Sequence, residues 1–340
     1  MSLIEASRDG DLDRVRKLLT SKWYKKRVDP NAVDKYGNTP LISAASNGHV
    51  EVVKELILAG ADPNIRKNGD TPLIVASVNG HVEVVKELLL APVGKGVDPN
   101  TADGGGRTPL YWACYNYRLE IVKVLLSVGA DPNIADNVGQ TPLFQASNTG
   151  YTEIVKELLR VPPLESAWPI GPIGPVRADP NIVNKDGDSP LHRASYYGHL
   201  EIVRELLRKG ADINTANNSG YTPLIITSRI GRLEIVKELL TGPSSGKRAD
   251  PNIANKAGNT PLIFVSNDGH LKIAKELLRA GADPNIANTD GQTPLSLAIS
   301  KRNPSIVREL ENYFPSLYIL SLRSIVKFEI SVSSIPKNLL

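Results

Sequence analysis

The chain has 340 residues, 41% of them hydrophobic and 22% charged, with a formal net charge of +4. That apolar content supports a continuous core and excludes a chain disordered throughout, while the small, mixed charge excludes a dominant electrostatic attraction to nucleic acid or anionic membrane. The single cysteine, Cys114, excludes an internal disulfide and fits a reducing compartment, cytoplasmic or nuclear.

The first stretch, "MSLIEASRDGDLDRVRKLL", places acidic residues where a secretory leader needs an apolar core. No run reaches the roughly 18 apolar residues of a membrane span, so we expect a soluble protein without membrane contact. From residue 39 onward the tripeptide Thr-Pro-Leu recurs, with its threonine at Thr39, Thr71, Thr108, Thr141, Thr222, Thr260 and Thr293, and with "SPL" at Ser189. Successive spacings are 32, 37, 33, 48, 33, 38 and 33, which makes one 33-residue unit in eight copies.

Each unit predicts a turn and two short helices. In "ADPNIADNVGQTPLFQASNTGYTEIVKELLR", Thr141 is an N-cap and Pro142 takes the first helical position, where its missing N–H costs nothing. The helix should close near Gly150, and Ile154, Val155, Leu158 and Leu159 mark the apolar face of an antiparallel second helix. Asp136 to Gly139 forms a polar hairpin-like turn. Neither helix can bury its apolar face alone, so neighbouring units must stack.

Extra residues fall at every second junction, in "TSKWYKKRVDPN", "APVGKGVDPN", the proline-rich "VPPLESAWPIGPIGPVRADPN" and "TGPSSGKRADPN". The alternation points to duplication of a two-repeat unit. We read the 161–178 insertion as the largest of four loops on one continuous array, with a docking peptide around Trp168 as the alternative.

The unit resembles the ankyrin repeat, whose signature is a 33-residue period with T-P-L-H-x-A. Here it reads "TPLIVAS", "TPLFQAS" and, with the histidine present at His192, "SPLHRAS". The histidine column otherwise holds Ile42, Ile74, Tyr111, Phe144, Ile225, Ile263 and Ser296, a departure expected to alter local hydrogen bonding more than the fold. The resemblance covers residues 2 to about 312 and implies an all-α ankyrin-repeat solenoid of paired antiparallel helices. Residues 1–28 then form an N-terminal capping helix pair and first loop, 29–312 the eight repeats, and 313–340 a C-terminal segment.

Catalytic motifs are missing from the sequence: there is no phosphate loop, zinc-protease motif, paired cysteine or nucleophile elbow. His49, His81, His199 and His270 share one slot of the repeat, which favours a structural role over a metal site. Glu55, Glu87, Glu157, Glu205, Glu238 and Glu276 are likewise periodic and read as solvated helix charges, and the "GGGR" glycines as a hairpin tip. We expect no enzyme activity, no cofactor and a monomeric chain. Lys22, Lys25, Lys26 and Arg27 make one short basic group rather than a stripe, so no nucleic-acid partner is expected.

Function should lie where the copies differ. In ankyrin arrays the partner meets hairpin tips and first helices, and the resemblance places exposed positions two, five and six residues after the leucine of TPL. Those columns are bland in the first two copies and then collect Trp112, Tyr115, Arg193, Tyr196, Tyr197, Arg229 and Phe264. Binding hot spots are enriched in Trp, Tyr and Arg, so these residues predict a groove for a protein or peptide. The alternative is that Trp112 and Phe264 face a neighbouring helix as core filling.

The tail from Phe314 fits no further repeat. Leu317, Ser321 and Ile325 recur at four-residue spacing and predict a helix with one apolar face, simplest as a cap on the last repeat. The order Ser316-Leu317, Ser321, Ile325 and then "IPKNLL" around Pro336 also resembles the SOCS box of ankyrin adaptors that recruit a cullin–RING ubiquitin ligase through elongins. That pattern, S-L-x-x-x-C-x-x-x-I then L-P-x-P, meets Ser321 in its cysteine slot and Asn338 in its second proline slot. A Skp1-type, F-box-like tail is a further alternative. The resemblances imply a protein-recognition module, as substrate receptor of a ubiquitin ligase or as a scaffold without ligase contact.

Overall fold

A computed structural model describes residues 2–20, 28–90, 96–160, 176–242 and 246–313. The described residues form 18 α-helices and no strand, in two compact units, Met1–Lys185 and Asp186–Leu340. The first unit contains α1 (Leu3–Asp9), α2 (Leu12–Thr20), α3 (Pro40–Asn47), α4 (Val50–Leu58), α5 (Pro72–Asn79), α6 (Val82–Leu89), α7 (Pro109–Tyr115), α8 (Leu119–Ser127), α9 (Pro142–Thr149) and α10 (Thr152–Leu158). The second contains α11 (Pro190–Tyr197), α12 (Leu200–Arg208), α13 (Pro223–Arg229), α14 (Leu233–Thr241), α15 (Pro261–Asp268), α16 (Leu271–Arg279), α17 (Pro294–Ser300) and α18 (Pro304–Glu311).

Local chemistry sets the helix ends. Thr39, Thr71, Thr108, Thr141, Thr222, Thr260 and Thr293 each accept a bond from the backbone N–H three residues on, and proline follows at the first helical position. Gly150 closes α9 in the left-handed region at φ +87°, as the sequence predicts. The helix pair expected in residues 2–20 is α1 and α2, opened by a reciprocal capping box between Ser2 and Glu5. The core lies between successive helix pairs and is almost purely aliphatic: Leu41, Leu56, Leu73, Leu88, Leu110, Ile121 and Leu125 are fully buried in the first unit.

Two polar ladders register the repeats. At the hairpins one Asp or Asn side chain gathers the turn's own N–H groups: Asp136 Oδ1 accepts from Val138 and Gln140, and Asn255 Oδ1 from Ala257 and Asn259. Adjacent tips then bond backbone to backbone, from Asn137 N–H to Gly105 O at 2.8 Å and from Asn218 N–H to Asp186 O at 2.9 Å. The one spacing below 33 has a local cause. At 67–70 the tip is a two-residue turn, with Asn68 at φ +53°, Gly69 at φ +99°, and reciprocal 2.9 Å bonds between Lys67 and Asp70. These are the features of a tight type I′ hairpin, one residue shorter than its neighbours.

The second ladder runs through the Asp-Pro-Asn segments and the Asp-Ile-Asn segment at 212–214. Asn31, Asn100, Asn133, Asn214 and Asn252 each accept, on Oδ1, the N–H of the aspartate opening the next such segment, at 2.7–3.0 Å. The alanine before that aspartate donates its N–H to a leucine carbonyl of the preceding second helix. Ala61 does so to Leu56, Ala130 to Leu125, Ala211 to Leu206 and Ala282 to Leu277, all five residues apart in sequence. Ala249 reaches Leu239 and Ala178 reaches Leu158 at 2.9 Å, although these pairs are ten and twenty residues apart in sequence. The two insertions that precede Ala178 and Ala249 therefore leave this junction bond in place. Most of the 161–178 segment, Trp168 included, lies outside the described residues.

Removing residues 161–175 together with Arg177→Gly would reproduce the 125–130 junction sequence but for Arg160 in the place of Ser127, and there Gly129 takes φ +87°. Shortening a closed loop about fourfold relieves on the order of 1 kcal/mol of closure entropy. We predict that this variant stays folded with a thermal midpoint equal to or a few degrees above that of the parent. Loss of cooperative unfolding would show that the insertion holds the junction together.

Candidate functional site

The three variable columns differ in depth. The column two residues after the TPL leucine leans onto its own hairpin: Ser43 and Gln145 are buried, and Trp112, Arg193 and Phe264 are half-buried. The columns five and six residues after it range from half-buried to exposed, and their large side chains in the central copies are open. Tyr115 is 47% exposed, Tyr196 48% and Tyr197 43%, and Arg229 and Ile230 are also exposed. The first of the three columns is thus less accessible than the resemblance implies, because these side chains find partners within the hairpin stack.

In the first unit the partner is Asp103. Its carboxylate accepts from the Gly105 and Arg107 amides, from Arg107 Nε at 2.9 Å and from Trp112 Nε1 at 3.0 Å. Burial raises the Asp103 carboxyl, but these bonds and the Arg107 charge outweigh it and hold the group below its ordinary range. Asp70 moves the other way, raised by burial and then by the neighbouring Asp103 charge. The Arg107 guanidinium lies 4.3 Å over the Trp112 ring, and Tyr115 meets that ring edge-on at 5.7 Å. The "GGGR" tip therefore clamps the tryptophan as well as turning the chain. Beneath it Tyr111 accepts from Gln145 Nε2 at 2.9 Å, and burial pushes its phenol up to about 12. Cys114 is fully buried, which raises its thiol and leaves it unreactive.

Tyr117 stands where the first helices of all but the last of the other repeats are followed by glycine, the last having Arg302 there at φ +58°. Tyr117 adopts φ +56°, is 52% exposed and packs its ring 4.8 Å from Tyr151. In the repeats with glycine that space belongs to the next slot residue: a Cβ on Gly48 would lie 2.6 Å from His81. Histidines in the slot tie repeats together, with His49 Nε2 at 2.9 Å from Arg8 O and His81 Nε2 at 3.0 Å from Ser46 O. The periodic glutamates likewise serve packing: Glu55 pairs with Arg16 and Glu238 with Arg204, both at 2.8 Å.

The second unit carries a separate cluster on α11, α13 and α15. The Arg193 guanidinium lies 5.2 Å over the Tyr197 ring and 5.8 Å over Tyr196, with Nη1 3.6 Å from Asp188. The Arg229 guanidinium lies 5.9 Å over Tyr221 and 5.7 Å over Phe264, and those two rings are 5.9 Å apart. Tyr221, one residue before its TPL motif, completes this cluster from outside the three columns, as Asp103 and Arg107 do in the first unit. His192 lies below: its Nδ1 bonds Ser189 and its Nε2 the Tyr221 carbonyl oxygen at 2.9 Å.

The sequence model described as "Ankyrin repeats (3 copies)" matches residues 3–103, 89–164, 173–248 and 228–315. The chain belongs to the ankyrin-repeat family. Among curated proteins it is similar to ankyrin repeat domain-containing protein 29 of Danio rerio, 44% identical over 62 residues, 18% of this chain and 20% of that protein. It is also similar to the 2-5A-dependent ribonuclease of Mus musculus, 45% identical over 67 residues, 19% of this chain and 8% of that protein. The matched stretches thus span a fifth or less of both relatives. Among solved structures it resembles the ankyrin repeat domain of Bcl-3, described as a unique member of the IkappaB protein family, with 31% identity and a TM-score of 0.59. That match covers 71% of this chain and all of the other.

The ankyrin repeats make this chain a protein–protein interaction module on a scaffold that generally works without catalysis. Among the described residues no helix is long and apolar enough to cross a membrane, and no group of three or more His, Cys, Asp or Glu side chains could hold a metal ion. Leu317, Ser321, Ile325 and Pro336 lie outside the described residues.

Burial holds the His192 imidazole below its ordinary pKa near 6.5, so the folded ring resists a proton that the unfolded chain accepts. Its contribution to stability is complete above about pH 6.5 and is lost as the pH falls through that value. Denaturant unfolding at pH 7.5 and 5.0 should show a larger drop for the parent than for His192→Ile, which carries the residue found in this column at Ile225. Equal drops would show that His192 does not titrate on unfolding.

Proposed function

We propose that this ankyrin protein binds a protein partner on its first-helix face, through Tyr115 and the Trp112 platform in the first unit and through Arg193, Tyr196, Tyr197, Arg229 and Phe264 in the second. The observation that carries the reading is the set of open aromatic and arginine side chains in columns that are bland in the first two copies. Tyr196 and Tyr197, nearly half exposed, meet edge-on at 5.0 Å, which presents a large rigid surface at little entropic cost.

Trp112 supports this surface from within. Trp112→Ala would remove a ring and also leave Asp103 short of a bond, costing about 1–3 kcal/mol of stability, so the open tyrosines are the cleaner probes. The ubiquitin-ligase reading of residues 313–340 rests on the letters of the tail alone, and the family match ends at residue 315. Capture of elongin, a Skp1-type adaptor or a cullin that disappears on deleting residues 315–340 would carry that separate role.

A photo-crosslinking residue placed at position 115 or 196 should trap partner proteins in cell extract, and the same group at Glu234, on a second helix, should not. Tyr196→Ala with Tyr197→Ala should weaken partner capture on the order of 30-fold while leaving the melting curve in place. Crosslinks confined to position 234, or capture unchanged by the tyrosine substitutions, would contradict the proposal.

A further inference from the structure

Arg193 and Arg229 of the second unit each lie over a pair of aromatic rings. A set of second-helix cations sit beside a carboxylate: Lys54, Lys86, Lys123, Lys156, Arg204 and Lys237 each lie within 3.0 Å of a glutamate on their own helix. Arg229 has no carboxylate within ion-pair distance among the described residues. Its contacts are the faces of Tyr221 and Phe264 and one long bond, 3.4 Å, from Nη1 to the Tyr221 hydroxyl. A guanidinium stacked on rings keeps its in-plane N–H groups directed outward in a fork that matches a carboxylate. Stacking also fixes the side chain before binding, so less rotamer entropy is lost when an acceptor arrives.

Arg193, one helix pair earlier, is presented over Tyr196 and Tyr197 in the same manner and shares its charge with Asp188 at 3.6 Å. Helices in direct contact lie about 8–10 Å apart, and α11 packs on α13. An extended chain covers that distance in about three residues.

We propose that the α11–α13 face of the second unit recognises an extended acidic protein segment, with carboxylates about three residues apart meeting Arg229 and Arg193 and apolar side chains between them covering Tyr196, Tyr197 and Ile230. This rests on the reading that the first-helix face binds protein. The chemistry that selects the partner is charge complementarity to a guanidinium that the fold leaves without an acid. Contact with the ring surfaces supplies the apolar part, and the Tyr197 hydroxyl, which accepts from Arg193 Nη2 at 3.3 Å, steadies that guanidinium.

The test uses the full chain and labelled peptides of the form (Glu-Leu-Pro)4, (Gln-Leu-Pro)4 and (Lys-Leu-Pro)4, read by fluorescence anisotropy. Proline keeps these peptides extended at about 3.1 Å per residue, so the acids recur every 9 Å or so. The glutamate peptide should bind at least about tenfold tighter than the glutamine peptide at low salt, with the gap closing near 1 M salt. Arg229→Gln should lower glutamate-peptide binding on the order of tenfold without moving the melting curve, and Arg229→Lys should recover only part of it.

Equal binding of the glutamate and glutamine peptides, or binding indifferent to Arg229, overturns the proposal. If both peptides bind equally and both lose affinity in Tyr196→Ala, the acidic assignment fails while the first-helix reading stands. If neither peptide binds, the proposal fails, and the crosslinking at position 196 decides the broader reading separately. Tighter, Arg229-dependent binding of a labelled dT12 oligonucleotide would assign the site to nucleic acid instead and also overturn it.

Discussion

A backbone hydrogen bond at the repeat junction governs this molecule. The alanine N–H that opens one repeat must reach the leucine carbonyl near the end of the previous second helix, in a place almost free of water: Ala61 and Ala178 are fully buried, and Ala130 and Ala249 nearly so. A buried N–H left without an acceptor costs about 1–3 kcal/mol, and at Ala178 and Ala249 the bond forms across a longer intervening chain just as it does at Ala61. The bond from Ala178 to Leu158 has the same length as the bond from Ala61 to Leu56. With these bonds in place, the aliphatic faces of successive helix pairs meet in one register within each unit.

With the junctions fixed, the asparagine ladder and the stacked hairpin tips follow, and the first helices of each unit are set side by side. That placement turns sequence columns into surfaces. Tyr115, Tyr196, Tyr197, Arg229 and Ile230, five or six residues after the TPL leucine, face outward because the aliphatic positions of the same helices are committed to the stack. The arginine and aromatic side chains of α11, α13 and α15 can then present charge and ring faces together, and the Asp103 clamp can hold Trp112 beside an open Tyr115.

Much of the fold is legible in the sequence because its determinants are local. Threonine followed by proline specifies a helix start, Gly150 a helix end, and the 33-residue period a stack; the structure has each of them. The site is less legible because its partners come from outside the repeating columns. Tyr221 sits one residue before its motif and Arg107 in a hairpin that reads as glycine-rich turn, so neither belongs to the three columns from which the groove is read. The half-burial of Trp112 needs the indole–Asp103 bond across nine residues, which no periodicity announces. Tyr117 is the inverse case: a tyrosine in a glycine slot is visible in the sequence, but its compensation by Tyr151 across the repeat boundary is not. The short spacing of 32 is explained only once Asn68 and Gly69 are seen to form a two-residue turn.

The junction account is tested most directly by hydrogen exchange resolved to single amides in the native protein. It predicts that the N–H groups of Ala130 and Ala178, bonded to Leu125 and Leu158, exchange with similar protection, and that the Asp179 N–H, held by Asn133, is protected with them. Exchange of Ala178 and Asp179 at the rate of free chain, while Ala130 remains protected, would contradict it and show that the long insertion breaks the stack.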